Sequence, residues 1–295
     1  MNILQSYFKK HNIGNSNLRV AITSKLNKLF ERNSINICYN KFIPEVYDPS
    51  KQNILLALES PAVIEYEKWI KPDMKFVAEI SFANFFNLDN YYCCRDLYVN
   101  SDNFIDVKIG TLFENKPKPV SIISSFKKHL PGHKLRHEII AGSQELDIFG
   151  SGYGKFGEIT DAYTDYMFQV VIENGKYPEY VSEKFFNCMK TQTVPLYWGG
   201  EDGVKKMGFN TAGIIFFESK DDLNKKLREI SPKLYMSMKN ATIDNLKRLI
   251  ELRNEQKMLF YLNSVIPGYM HTTDSYLGYG YNKLNLRLEG LNLKL

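Results

Sequence analysis

Four side chains of different chemical character stand within eleven residues of each other: Asn174, Tyr180, Glu183 and Lys184. They offer a carboxamide, a phenol, a carboxylate and an ammonium. The last two open a stretch that reads as a helix, and the free N–H groups of a helix N-terminus suit phosphate. A second candidate cation, Arg136, lies in Leu130-Pro-Gly-His-Lys-Leu-Arg-His137. Its guanidinium can grip phosphate oxygens through two parallel N–H bonds. The plain alternative for Arg136 is a solvated arginine on a helix. His129, His133 and His137 are spaced four apart, which on one helix face could hold a metal. Pro131-Gly132 interrupts the first pair, and two histidines without a third ligand favour solvated or phosphate-adjacent roles.

The elements around these groups follow from the apolar pattern. Phe168–Ile172 is an apolar run of strand length, closed by Glu173-Asn174-Gly175, and such a run fits a buried parallel strand. Lys176–Glu179 is a loop containing Pro178, and Ser182 can cap a helix running to about Thr191. Phe185, Phe186 and Met189 share one face of it. Val194–Trp198 is a second apolar strand, and Gly199-Gly200 marks a bend or a close backbone approach. This strand–loop–helix–strand succession is one βαβ unit with its loop at the carboxyl end of the first strand, where open α/β sheets bind ligands. An ordinary crossover with scattered polar residues is the competing reading.

Tyr180-Val-Ser-Glu-Lys184, followed by Val194-Pro-Leu-Tyr-Trp-Gly199, resembles the signature of the α-1,3/4-fucosyltransferases. Their pattern is Glu-Asn, a short loop, Tyr-Val-Thr/Ser-Glu-Lys, a helix, then Val/Ile-Pro-Val/Ile-x-x-Gly. Ser182 replaces the commoner Thr. The match is good over about residues 120–220 and loose elsewhere. The resemblance implies two Rossmann-like α/β domains facing across a cleft, the GT-B glycosyltransferase architecture. It implies inverting transfer of L-fucose from GDP-β-L-fucose to a glycan hydroxyl, in α-1,3 linkage. Asn174, Tyr180, Glu183 and Lys184 would hold the donor, and Arg136 would hold its diphosphate. Glu183 would bond ribose or sugar hydroxyls.

The reaction also needs a base for the acceptor proton. Glu59, which ends the apolar run Asn53–Leu58 and precedes Ser60-Pro61, matches a Glu-Ser-Pro of the family where the catalytic carboxylate lies. Glu65 and Glu67 are the fallbacks, and a capping or ion-paired carboxylate is the plain alternative for Glu59. No Asp-x-Asp occurs in the chain, so side-chain cations rather than a metal are expected to neutralise the diphosphate, and no cofactor is expected. Another GDP-hexose as donor, or a non-catalytic glycan- or nucleotide-binding protein on the same scaffold, are the competing functions.

The 38 basic and 33 acidic side chains leave a net charge of +5. That is mild, compatible with a phosphate-bearing substrate and with peripheral contact at a membrane, but without the basic stripe that nucleic-acid binding requires. The four cysteines form no Cys-x-x-Cys pair, and vicinal Cys93-Cys94 strain against bonding to each other. They read as free thiols in a reducing compartment. No run reaches transmembrane length, so the membrane anchor of the family's animal members is not expected here. The expectation is therefore a cytoplasmic enzyme of bacterial or viral type. Glu114–Pro119 is the expected connector, giving an acceptor-side domain over 1–117, a GDP-sugar domain over 118–270 and a tail over 271–295. The alternating leucines on either side of Glu289-Gly290 read as a β-hairpin.

Overall fold

The computed structural model describes residues 35–39, 43–57, 59–82, 85, 91–93, 116–142, 145–151, 153 and 158–259. These fall into two units, over 35–93 and over 116–259, and both are α/β. The tail expected over 271–295, with its β-hairpin, lies outside the described residues, as do residues 1–34.

The first unit is a parallel sheet in the order β1-β2-β3-β4, with β1 at Ile35–Tyr39, β2 at Gln52–Leu56, β3 at Ala78–Ser81 and β4 at Tyr91–Cys93. A short helix α1, Ile43–Val46, lies in the stretch Lys41–Gln52, which its Pro44 and Pro49 make read as a loop. Cys38, Ile43, Leu55, Ala57, Tyr66, Met74 and Phe76 form the core. A buried amide pair crosses it, Asn36 Nδ2 donating to Asn53 Oδ1 at 2.9 Å, while Asn53 Nδ2 donates to the Asp48 carbonyl at 2.7 Å. The stretch Val63–Ile70 reads as a helix in sequence, and the structure forms only a 3-10 turn there, at Tyr66–Lys68. Turn bonds from Val63 N and Ile64 N to the Ser60 carbonyl use up the chain before it, and Pro72 follows soon after. Glu79 is a wholly buried carboxylate in β3 that accepts from the Ser81 hydroxyl and from Phe85 N, holding the turn after the strand. Trp69, beside that 3-10 turn, is 37% exposed.

The second unit carries a five-stranded parallel sheet of β5 (Lys118–Ile123), β6 (Asp147–Phe149), β7 (Tyr166–Ile172), β8 (Val194–Trp198) and β9 (Ile215–Phe216), in the order β6-β5-β7-β8-β9. Counted within the unit this is 2-1-3-4-5, a doubly wound order whose direction of winding reverses between β5 and β7. Every residue of β7 is buried, which is why it reads as an unbroken apolar run. Phe168, Val170 and Ile172 face helices α2 (Pro131–Gly142), α5 (Lys220–Leu227) and α6 (Pro232–Ser237) through Ile139, Leu223 and Tyr235. Val171 faces the other layer, where α3 (Glu183–Thr191) and α7 (Lys239–Leu259) pack. There the Phe185 ring stands 5.0 Å from Tyr197 and 5.2 Å from Phe209, both edge-on. Helix α4 (Glu201–Lys206) follows β8 directly.

Several boundaries differ from the sequence reading for local reasons. β5 starts at Lys118, so Pro119 lies inside the strand. Its ladder to β6 begins only at Ser121, which leaves the missing N–H of Pro119 without consequence near the strand's start. Pro131 opens α2 at its first position, where no N–H is needed. Asn210–Phe217 reads as one strand in sequence, but it forms a 3-10 turn, Thr211–Gly213, followed by the two residues of β9; Asn210 caps the turn by accepting from Ala212 N at 3.1 Å. Lys116 enters the sheet from below. Its ammonium is buried and donates to the Tyr163 and Thr164 carbonyls at 2.8 Å and to the Thr193 hydroxyl at 3.0 Å, binding the starts of β7 and β8.

Candidate functional site

A cavity of about 380 Å³ opens at the carboxyl ends of β5 and β7, at the reversal of the winding. Arg136, Asn174, Glu183 and Lys184 all line it. So do Ser124 and Ser125 after β5, His133 on α2, Gln169 in β7, Tyr163 and Asn187. Tyr180 does not line it. Its ring is buried, and its carbonyl accepts from Gly200 N at 3.1 Å and from the Tyr197 hydroxyl at 3.4 Å. Glu59 belongs to the first unit. It stands three residues past β2, partly exposed, with its carbonyl accepting the Tyr66 hydroxyl at 3.1 Å. Glu65 is exposed in the same turn region.

Arg136 reaches the cavity because α2 starts unusually close to β7. Gly132 donates its N–H to the Asn174 carbonyl at 3.1 Å, and a Cβ on it would collide with the Glu173 carbonyl. Only glycine permits that approach. One turn on, the buried Arg136 guanidinium donates to the carbonyl of Ile172, the last residue of β7. Burial pulls this group below its ordinary value, and the neighbouring Glu173, Tyr180 and Glu183 work against the pull. A guanidinium remains protonated through such a shift, so a largely desolvated positive charge stands at the cavity wall.

The loop between β7 and α3 is held from below. Gly203 N donates to the Pro178 carbonyl at 2.8 Å, and a Cβ on Gly200 would press on the Tyr180, Pro178 and Tyr177 carbonyls. This is the close approach expected at Gly199-Gly200. Ser182 takes the cap position of α3, but its hydroxyl makes no cap bond. It donates instead to Glu173 Oε2 at 2.6 Å, while Ser182 N donates to Glu173 Oε1 at 2.8 Å. Lys184 Nζ lies 3.0 Å from Ser182 Oγ, 3.2 Å from Glu183 Oε1 and 3.5 Å from Glu173 Oε2. Burial alone would lower the Lys184 ammonium, but the Glu183 and Glu173 carboxylates outweigh it and raise the group above the ordinary lysine value. Burial likewise pushes the Glu183 carboxyl up, and Lys184 with local hydrogen bonds brings it below the usual range. Both groups are therefore charged near neutrality.

One buried polar atom in the cavity wall, His133 Nδ1, has no hydrogen-bond partner among the described residues, while the buried Asn187 amide lies beside the Tyr163 hydroxyl and acts on it. Burial, with the positive charge of Arg136 next, pushes His133 down to about 4, so it is neutral. His137 is occupied elsewhere: Nε2 is 3.0 Å from the Lys127 carbonyl and Nδ1 is 2.5 Å from the Tyr153 hydroxyl. The residue-by-residue reading missed Glu173, Asn187, Gln169 and Tyr163. Glu173 stood in view as the acid of the Glu-Asn pair, and Asn187 is one helical turn after Glu183 on the same face.

The cavity wall carries three cationic side chains, Lys127, Arg136 and Lys184, and one carboxylate, Glu183, beside neutral hydrogen-bonding groups, which fits an anion attached to a hydroxylated or heterocyclic part. The family model described as glycosyltransferase family 10 (fucosyltransferase) C-term matches residues 113–240. Alpha-(1,3)-fucosyltransferase B of Drosophila melanogaster is 26% identical over 162 residues, covering 52% of this chain and 34% of that protein. The chain thus spans about a third of the length of that relative. Among solved structures, an alpha1,3-fucosyltransferase with GDP is similar at 18% identity and a TM-score of 0.44, covering 70% of this chain and 74% of that one. An alpha1,3-fucosyltransferase with GDP-fucose is similar at 15% identity and a TM-score of 0.44, covering 71% and 76%. The segment that this family model matches, residues 113–240, is the one that builds the cavity.

Proposed function

We propose that this chain transfers L-fucose from GDP-β-L-fucose to a glycan hydroxyl, with inversion and in α-1,3 linkage. The observation that carries the reading is the meeting of Arg136 and Lys184 at one cavity, at the winding reversal of the family-matched domain. In the reaction, the bond from the fucose anomeric carbon to the diphosphate oxygen breaks as the acceptor oxygen bonds to that carbon. GDP leaves carrying the added negative charge. Arg136 and Lys184 stabilise that charge from fixed positions, the largest single effect available to most enzymes. Glu59 takes the acceptor proton as general base. Asn174 and Glu183 bind the polar parts of the donor, and no metal takes part. The reducing compartment inferred from the cysteines fits Cys38 and Cys188, both buried free thiols. Among the described residues no helix is long and apolar enough to cross a membrane.

The test is a melting series with GDP, UDP and CMP, followed by transfer assays with GDP-fucose and a glycan array. A ligand at a hundredfold excess over its Kd stabilises by about 2.7 kcal/mol, so GDP should raise the melting temperature well above the other two. Equal shifts with UDP would remove the guanosine reading, and GDP release without a fucosylated product would remove the transferase. Activity should survive EDTA; its loss, restored by Mn²⁺, would show a metal-dependent site.

A further inference from the structure

We infer that Glu173 is a positioning residue for this reaction, setting where Lys184 and the start of α3 stand against the donor's diphosphate; the inference rests on the donor reading above. Glu173 follows the last residue of β7 and is fully buried. Its backbone N–H still belongs to the sheet, donating to the Trp198 carbonyl at 3.0 Å. Its carboxylate receives four donors from two further elements. Oε1 accepts from Ser182 N at 2.8 Å and from the Tyr197 hydroxyl at 3.3 Å. Oε2 accepts from Ser182 Oγ at 2.6 Å and pairs with Lys184 Nζ at 3.5 Å.

A buried carboxylate is costly unless its lone pairs and charge are met, and here they are met by the residues that open α3. The serine at the cap position therefore ties the helix to the sheet instead of closing its own first turn. The same carboxylate acts on Lys184 in two opposing ways. It fixes the ammonium in place, and it competes with an incoming diphosphate for the ammonium's charge. Glu173 thus weakens binding of the anion at rest while ordering the contact needed as negative charge develops on the departing diphosphate. Interactions realised mainly in the transition state raise kcat rather than affinity.

Glu173→Gln separates these effects. The amide keeps an oxygen for Ser182 N and nearly the same volume, and it removes the charge. The expected result is GDP binding by calorimetry as tight as wild type or tighter, with kcat for GDP-fucose transfer reduced about 10²-fold, the scale of a misplaced catalytic contact. The alkaline limb of kcat should also move to lower pH. The charges facing Lys184 are Glu173 and Glu183, which raise it, and Arg136, which lowers it; without Glu173 the ammonium loses its proton sooner. Ser182→Ala, which removes the hydroxyl shared by Glu173 and Lys184, should lower kcat in the same direction by a smaller factor, and it serves if Glu173→Gln does not fold. Parallel losses of melting temperature, GDP affinity and kcat, with no movement of the alkaline limb, would make Glu173 a merely structural residue. Wild-type kcat in Glu173→Gln would overturn the inference outright. Failure of the wild-type protein itself to bind GDP would strike the donor reading instead, and the inference with it.

Discussion

Arg136 shows how far a single residue can be read from its neighbours in sequence. Pro131-Gly132 placed it near a helix start, and its charge suited phosphate. Its reach into the cavity depends on Gly132 packing against Glu173, a contact between positions 41 apart in the chain that no local pattern encodes. Tyr180 is the reverse case, a buried motif residue near Arg136 that is not among the residues lining the cavity, and whose carbonyl serves the β8–α4 turn. Replacing Arg136 or Lys184 by Ala should each cut turnover about 10²–10³-fold, the scale of one preorganised electrostatic contact. Glu59→Gln should keep GDP binding and lose transfer by about 10²–10⁴-fold, the range of a positioned general base. Steady-state kinetics beside GDP titration distinguishes the two classes, and near wild-type transfer by Glu59→Gln would move the base elsewhere.

At the scale of elements, long apolar runs were the legible part. β7, β8 and α3 lie where the apolar period puts them, because burial on both faces of a strand or one face of a helix writes itself into the residue types. Short pieces were not legible. β9 has two residues and β4 three, too few to show a period, and α6 is one and a half turns announced only by its Ser231 cap and Pro232. The buried Ser182–Glu173 bond was hidden for another reason: serine before a helix signals a cap wherever its hydroxyl points. The contact between α2 and the end of β7 yields a direct prediction. Gly132→Ala forces a methyl group toward a backbone carbonyl that cannot swing aside. Overpacking of this kind costs about 1–3 kcal/mol, and it should shift the first turn of α2 together with Arg136. GDP affinity is expected to fall alongside the melting temperature, whereas an alanine at exposed Lys134 should leave both near wild type.

For the whole molecule, the buried ionisable groups set a pH profile. Burial brings Lys116 down to about 7 from 10.5, so between these values the unfolded chain holds a proton that the folded one lacks, and stability falls as pH drops through the interval. His133, lowered to about 4 from 6.5, removes more stability as pH falls from 6.5 toward 4. On the other side, burial holds the Cys188 thiol neutral well above its ordinary 9.0, and stability is lost as pH rises past that value. Melting temperatures should peak near pH 9. Lys116→Met should flatten the slope from pH 7 to 9, and His133→Asn the slope below 6.5; unchanged slopes would assign the profile to other groups.

The two tryptophans of the chain divide between the two units. Trp69 is over a third exposed beside a turn of the first, while Trp198 ends β8 in the second and receives the Glu173 N–H at its carbonyl. Emission from a Trp69→Phe protein therefore reports on the second unit alone, from a probe one hydrogen bond away from the residue that anchors α3. Emission from a Trp198→Phe protein reports on the first. Each unit thus carries its own optical reporter, and denaturation followed in the two variants resolves whether the halves melt together or in sequence without any added label.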